Sequence, residues 1–232
     1  ATKNDLISFF ECPEEKIVVI PHGFSPSKVS DETIEKQFSE SEIFKNFCIN
    51  KEMKFVLFVG RLESKKNLER LVQAFNKFTQ KNGDFHLILA GKRGLGFDKI
   101  LNTINHLGIA DRVIMPGYIT EDEKACLMKY CRIFAFPSLY EGFGLPILEA
   151  MAIGTPVIIF KEDALCEVGG EAVIAIEFGD IESVAMTIAQ CLLLPEGVEM
   201  LCDDGIARAK YFSWERAACE TLKVLEWVGK NK

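Results

Sequence analysis

The sequence predicts an α/β fold built on a doubly wound, parallel sheet, and three observations carry that expectation. From residue 54 onward, short apolar runs alternate with segments of helical periodicity. The runs are apolar throughout, as expected of strands buried on both faces. Finally, 48% of the 232 residues are apolar and 26% charged, a balance typical of a folded chain and not a disordered one. The length allows one large domain or two small ones.

The elements follow in order. Ile17-Val18-Val19-Ile20 is a short apolar run stopped by Pro21-His22-Gly23, and a polar stretch from Ser25 to Lys51 holds one amphipathic helix over Glu32–Phe47. The strands are Lys54–Val59, Phe85–Ala90, Arg112–Met115, Ile133–Phe136, Pro156–Phe160 and Ala172–Ala175. In Asn67–Gln80 the apolar residues Leu68, Leu71, Val72, Phe75 and Phe78 recur every three or four positions, which predicts a helix capped by Asn67. Further helices are expected at Asp98–Leu107, Glu121–Tyr130, Leu145–Ile153, Ile181–Leu193, Glu196–Lys210 and Trp214–Val228. Neither an internal repeat nor a low-complexity stretch interrupts them.

Composition also removes whole classes of function. The net charge of −7 argues against a nucleic-acid binder, which needs positive charge to track phosphates. Ala1-Thr2-Lys3-Asn4-Asp5 lacks the apolar core of a signal peptide, and the absence of an initial Met suggests a processed or truncated chain. The longest apolar tract, Phe143 to Phe160, is broken by Glu149, two prolines and two glycines, so it cannot serve as a membrane span. The eight cysteines show no C-x-x-C pair, and they read as buried, reduced thiols of a cytosolic protein. His22, His86 and His106 are far apart and support no metal site; His86, in a strand, reads as structural.

In a doubly wound fold, ligands bind beyond the carboxyl ends of the strands. After the first strand comes Gly60-Arg61-Leu62-Glu63-Ser64-Lys65-Lys66-Asn67, with three cations in six residues just before a helix. Lysines at a helix N-terminus oppose its dipole, and a bound phosphate or diphosphate would reconcile the two; a solvated charge run is the other reading. After the fourth strand comes Pro137-Ser138-Leu139-Tyr140-Glu141-Gly142-Phe143-Gly144-Leu145-Pro146-Ile147-Leu148-Glu149. Its glycines let a ligand approach the main chain, and the N–H groups of Phe143, Gly144 and Leu145 would face an anion above the helix that follows. Glu141 and Glu149 are suited to accept hydrogen bonds from sugar hydroxyls, or else are surface charges. Gly91-Lys92-Arg93-Gly94-Leu95-Gly96 is glycine-rich but does not follow a dinucleotide fingerprint, and no Walker A, His-Glu-x-x-His or Gly-x-Ser-x-Gly motif occurs.

These residues resemble the donor-binding half of retaining glycosyltransferases of the GT-B fold, family 4 (group 1). The resemblance rests on Gly60-Arg61-Leu62 with Lys66, and on Pro137 to Ala152, where Glu141 and Glu149 fit the family's Glu-x7-Glu signature. Val113-Ile114-Met115-Pro116-Gly117-Tyr118, Cys166-Glu167-Val168-Gly169-Gly170 and Phe212-Ser213-Trp214-Glu215 extend it over roughly residues 1–228. It implies the C-terminal half of a GT-B architecture. Residues 1–52 would be a remnant of the N-terminal domain plus the crossover, 53–212 the nucleotide-sugar-binding domain, and 213–232 a helix returning toward the N-terminal domain. Arg61 and Lys66 would grip the diphosphate of a UDP- or GDP-sugar and stabilise the departing nucleotide, and Glu141 would contact the donor sugar. These three are the catalytic candidates. Gly60, Gly142, Phe143, Gly144 and Leu145 would complete the donor site, Glu149 would hold the ribose, and Gly117, Tyr118 and Ile119 would face the base. The reaction would move a hexose to a glycan or glycolipid held by the other domain, with neither metal nor cofactor, so this chain alone would transfer poorly. The expected location is cytoplasmic, with a peripheral position at the inner face of the membrane as an extension of it. Cys166, where the family usually has proline, and Phe160-Lys161-Glu162-Asp163, in place of a small polar loop, bear on donor-sugar choice. A non-catalytic nucleotide-binding module and a dinucleotide-binding oxidoreductase domain are the competing readings. The missing third glycine counts against the latter.

Overall fold

The computed structural model describes residues 1–26, 30–177, 181–193 and 196–230. Residues 27–29 of the polar stretch and the last two residues of the 213–232 segment lie outside them. Six strands form one parallel sheet: β1 (Lys54–Val59), β2 (Phe85–Ala90), β3 (Val113–Gly117), β4 (Ile133–Phe136), β5 (Val157–Phe160) and β6 (Ile174–Ile176). Their spatial order is β3-β2-β1-β4-β5-β6. β1 runs in register with β2 from Lys54↔Phe85 to Val59↔Ala90, and on its other side Val56 pairs with Ile133 of β4. Phe55, Val56, Leu57 and Phe58 are completely buried, so both faces of β1 are covered. The strand order reverses between β1 and β4, and this opens a crevice at their carboxyl ends.

The helices are α1 (Thr2–Phe10), α2 (Asp31–Glu40), α3 (Glu42–Asn46), α4 (Leu68–Thr79), α5 (Phe97–Leu107), α6 (Glu121–Tyr130), α7 (Leu145–Ala152), α8 (Asp163–Gly169), α9 (Ile181–Leu193), α10 (Glu196–Tyr211) and α11 (Trp214–Lys230). On α4 the predicted stripe Leu68, Leu71, Val72, Phe75 and Phe78 is buried. Leaving that stripe in water would forfeit roughly 1.5–3 kcal/mol per large side chain.

Four expectations need correction or refinement. The single helix over 32–47 is two, because Ser41 ends α2 and starts α3. Its hydroxyl accepts from the N–H of Phe44 at 3.3 Å and donates to Glu123 Oε1 at 2.5 Å. Asn67 does take the N-cap position of α4, but with a left-handed backbone (φ 54°) and no side-chain cap bond. Its Nδ2 is buried without a partner. Helices α1 and α8 were not expected; Glu162 caps α8 by accepting from the N–H of Leu165 at 3.0 Å. Finally, only Cys126 and Cys131 are buried, whereas Cys48 and Cys219 are exposed and Cys12, Cys166, Cys191 and Cys202 are half-buried. Cys12 and Cys48 lie in loops, Cys219 lies on α11, which buries none of its residues, and Cys166, Cys191 and Cys202 lie on α8, α9 and α10, only partly covered.

Candidate functional site

Backbone hydrogen bonds draw the carboxyl ends of β1, β2 and β3 together. Gly60 N–H donates to Ala90 at 3.0 Å, and Gly91 N–H donates to Gly117 at 2.7 Å. A Cβ on Gly91 would lie 1.9 Å from the Gly60 carbonyl oxygen, so only glycine permits this approach. The β2–α5 loop folds back over the β1 loop: Leu62 N–H donates to Lys92 at 2.9 Å, Gly94 N–H to Leu62 at 2.9 Å, and Ser64 N–H to Leu95 at 2.9 Å. A Cβ on Gly94 would fall 2.8 Å from Arg61 Cγ, so this loop braces the Arg61 side chain.

Above this floor lies a cleft of about 450 Å³, within the range of small-ligand sites. Of the predicted residues, Gly60, Arg61, Tyr118, Ile119 and Glu149 line it. Gly91, Lys92, Glu121 and Lys124 also line it, and sequence reasoning missed all four as site residues. The glycine-rich stretch after β2 follows no fingerprint, yet its position at a strand end is itself a signal. No local signal marked Lys124. It reaches Glu149 across 25 residues, from α6 to α7.

The Lys124 ammonium donates to Glu149 Oε1 at 2.8 Å and to Glu121 Oε2 at 2.6 Å. Burial pulls its pKa down, but the hydrogen bonds and charges of Glu121 and Glu149 outweigh that and raise it. Glu149 is thus a held carboxylate, not a loose surface charge. The start of α6 is equally fixed. Thr120 and Glu123 form a reciprocal capping box in which Thr120 N–H donates to Glu123 Oε2 at 2.8 Å. Glu123 is buried, which raises its pKa, but donors from Ser41 and Thr120 more than reverse this and lower it. The box anchors the chain just beyond Tyr118 and Ile119.

Lys66 and Glu141 form a second pair, joining the loops that follow β1 and β4. Both are mostly buried. Ser138 Oγ donates to Glu141 Oε1 at 2.6 Å, the Lys66 ammonium lies 5.0 Å from the Phe136 ring centroid, and Leu139 N–H donates to the Lys65 carbonyl at 2.9 Å. Lys65 and Lys66 sit in a 3₁₀ turn, Ser64–Lys66, ahead of α4. Gly144 precedes α7 with φ 96°, where a Cβ would come within 2.5 Å of Leu165 Cδ2. Gly142 and Phe143 line a second cavity of about 760 Å³, also lined by α1, residues 17–22 and Arg208. His22 lies there, its ring 5.6 Å from Phe143 and 4.7 Å from Trp214. Leu145 is partly exposed at the start of α7.

Among the described residues, no group of three or more His, Cys, Asp or Glu could hold a metal ion, and no helix is long and apolar enough to cross a membrane. The result is a Rossmann-like α/β domain with cations and hydroxyl-accepting carboxylates around one cleft at its switch point. Comparison with known proteins places that class. Residues 39–207 match the model for "Glycosyl transferases group 1", and the chain belongs to that family. It is 33% identical over 169 residues to O-antigen chain mannosyltransferase B of Escherichia coli, covering 72% of this chain and 44% of that protein. It is 36% identical over 127 residues to the MMP alpha-(1->4)-mannosyltransferase of Mycolicibacterium hassiacum, covering 53% and 31%. The chain therefore spans less than half the length of these two relatives. Among solved structures, a Rickettsia africae glycosyltransferase superposes with a TM-score of 0.83 at 20% identity, covering all of this chain and 62% of that one. Anabaena Alr3699/HepE, solved with UDP and glucose, superposes at 0.77 and 23%, covering 99% and 61%. The fold is that of solved GT-B glycosyltransferases.

Proposed function

We propose that this chain is the donor-binding part of a retaining glycosyltransferase that takes a hexose-type sugar from a nucleotide diphosphate sugar to a glycan or glycolipid. The observation that carries this reading is the meeting of Arg61, Tyr118, Ile119 and Glu149 in one cleft at the β1/β4 switch point. Glu149, held by Lys124, accepts from the ribose hydroxyls; the Gly117–Ile119 backbone faces the base; Arg61 and Lys66 take the diphosphate. As the bond from the anomeric carbon to the phosphate oxygen breaks, negative charge moves onto the nucleotide. Cations already in place lower that barrier without reorganising. Glu141 occupies Lys66 until the diphosphate displaces it, and meets the donor sugar, with the N–H groups of Phe143, Gly144 and Leu145 beside it. The chemistry of these side chains needs no metal. The mannosyltransferase names of the two relatives make mannose the first sugar to test.

Residues 53–212 form the donor domain in this reading. Residues 1–52 are the remnant and crossover, and 213–232 the returning helix. In this reading the acceptor site belongs to a further domain, and this chain alone transfers sugar poorly.

Thermal unfolding against UDP, GDP, ADP and NAD tests the reading. A true ligand at a hundred times its dissociation constant stabilises by about 2.7 kcal/mol. For a chain of this size that is a midpoint rise of about 5–10 °C. A rise with a nucleoside diphosphate supports the donor site, and a rise with NAD alone would favour an oxidoreductase domain.

A further inference from the structure

From the groups that line the base end of the cleft, we infer that Glu121 makes this site selective for guanine, so that the donor is a guanosine diphosphate sugar. The inference rests on the nucleotide reading of the cleft and deepens it. Three side chains with strong polarity flank the Tyr118–Ile119 turn: Lys92, Glu121 and Lys124. The Lys92 ammonium lies 5.2 Å from the centroid of the exposed Tyr118 ring, and the two form one wall. On the ribose side the Lys124 ammonium touches both Glu149, at 2.8 Å, and Glu121, at 2.6 Å. The carboxylate of Glu121 is therefore tied next to the one that takes the ribose.

That adjacency sets which edge of the base meets Glu121. A base joined to a ribose held at Glu149 presents its sugar edge, and then its pairing edge, to the neighbouring group. Guanine carries the N2 amino group there and N1–H beside it, two adjacent donors that one carboxylate accepts together. Uracil presents the O2 acceptor at that edge and adenine presents N3, and neither offers a second adjacent donor. A carboxylate accepts and cannot donate, so it attracts guanine and repels the facing oxygen of uracil. Lys92, a donor only, suits the acceptors O6 and N7 on the far side of guanine. Most of the Glu121 side chain is open to solvent, with 73% accessible, so one carboxylate oxygen can stay on Lys124 while the group turns to the base.

Calorimetric titration of GDP, UDP and ADP into the wild-type chain and into Glu121→Gln tests this. Wild type binds GDP at least about tenfold more tightly than UDP or ADP, the scale of one good bidentate contact. Glu121→Gln, whose amide accepts through only one atom and can donate through the other, loses most of that preference by weakening GDP, and leaves UDP unchanged or tighter. Glu121→Asp keeps the carboxylate and retains a preference for GDP. If Glu121 merely held Lys124, the glutamine variant would weaken all three nucleotides alike, and that result overturns the inference. So does tightest binding of UDP or ADP by wild type. In that case, if the binding still depends on Arg61 and Glu149, the nucleotide site stands and only the base assignment falls. Failure of all three nucleotides to bind removes the site reading and this inference with it.

Discussion

Among the described residues, two largely buried lysine–glutamate pairs sit around the carboxyl end of the sheet, and they are built differently. Lys66–Glu141 joins two loops across the switch point, beneath Ser138 and over Phe136. Lys124–Glu149 joins two helices, α6 and α7, and shares its ammonium with a second carboxylate, Glu121, near solvent. The first pair is closed on itself, so a ligand phosphate must compete with Glu141 for Lys66. The second is open, because Glu149 keeps an oxygen for a hydroxyl while Lys124 fixes its direction. The loop pair is thus suited to charge that changes during a reaction, and the helix pair to steady recognition.

Mutations separate the two. The largest effect is expected from Glu141→Ala, which leaves the buried Lys66 ammonium without its carboxylate and costs about 3 kcal/mol of stability by chemical denaturation. The freed lysine should keep, or strengthen, binding of a nucleoside diphosphate. A stable Glu141→Ala protein that binds the diphosphate more weakly would break the proposed division of roles. Lys124→Ala should cost less stability, about 1–2 kcal/mol, but weaken nucleotide about tenfold by releasing Glu149. Equal affinity would show that Glu149 needs no holding. Smaller still is Glu123→Gln, which disturbs the donors of Ser41 and Thr120 and costs about 1 kcal/mol at neutral pH. Because the Glu123 pKa is lowered by folding, its contribution is present above the ordinary glutamate value and is lost as pH falls through the depressed one. The difference between variant and wild type should therefore shrink only on the acid side of about pH 4.3, and a gap that closed nearer neutrality would contradict this assignment. Least perturbing is thiol labelling of the native chain. Cys48 and Cys219 should react first, while Cys126, whose thiol burial pushes up to about 12, and Cys131, also pushed up, react only on unfolding.

The same contrast shows what the sequence could carry. Strands β1, β2 and β4 were legible to the residue because buried parallel strands are uninterrupted apolar runs. Lys65 and Lys66 stood out because cations at the start of a helix oppose its dipole, whereas Arg61, Glu141 and Glu149 did so by lying in or beyond strand-end loops and by the family signature they resemble. Lys124 and Glu121 did not, since a lysine and a glutamate in an amphipathic helix look like any solvated face until α6 is laid beside α7. The division of the 32–47 helix at Ser41 was hidden for the same reason. What divides it is a hydrogen bond to Glu123, 82 residues away. The terminal helices differ again. α1 and α11 bury none of their residues, although Phe9, Phe10, Leu222, Leu225 and Trp227 are large and apolar. The periodicity of 214–228 predicts a helix, whereas α1 was not expected, and neither segment's pattern says what covers it.

The central claim is that one cleft holds the diphosphate at Arg61 and the ribose at Glu149. Its most direct test is to titrate a nucleoside diphosphate and its free nucleoside into wild type, Arg61→Ala and Glu149→Ala. The account predicts that Arg61→Ala weakens the diphosphate at least tenfold and leaves the nucleoside unchanged, while Glu149→Ala weakens both by a similar factor. If Glu149→Ala leaves the nucleoside untouched, or both variants bind the diphosphate like wild type, the cleft is not the donor site.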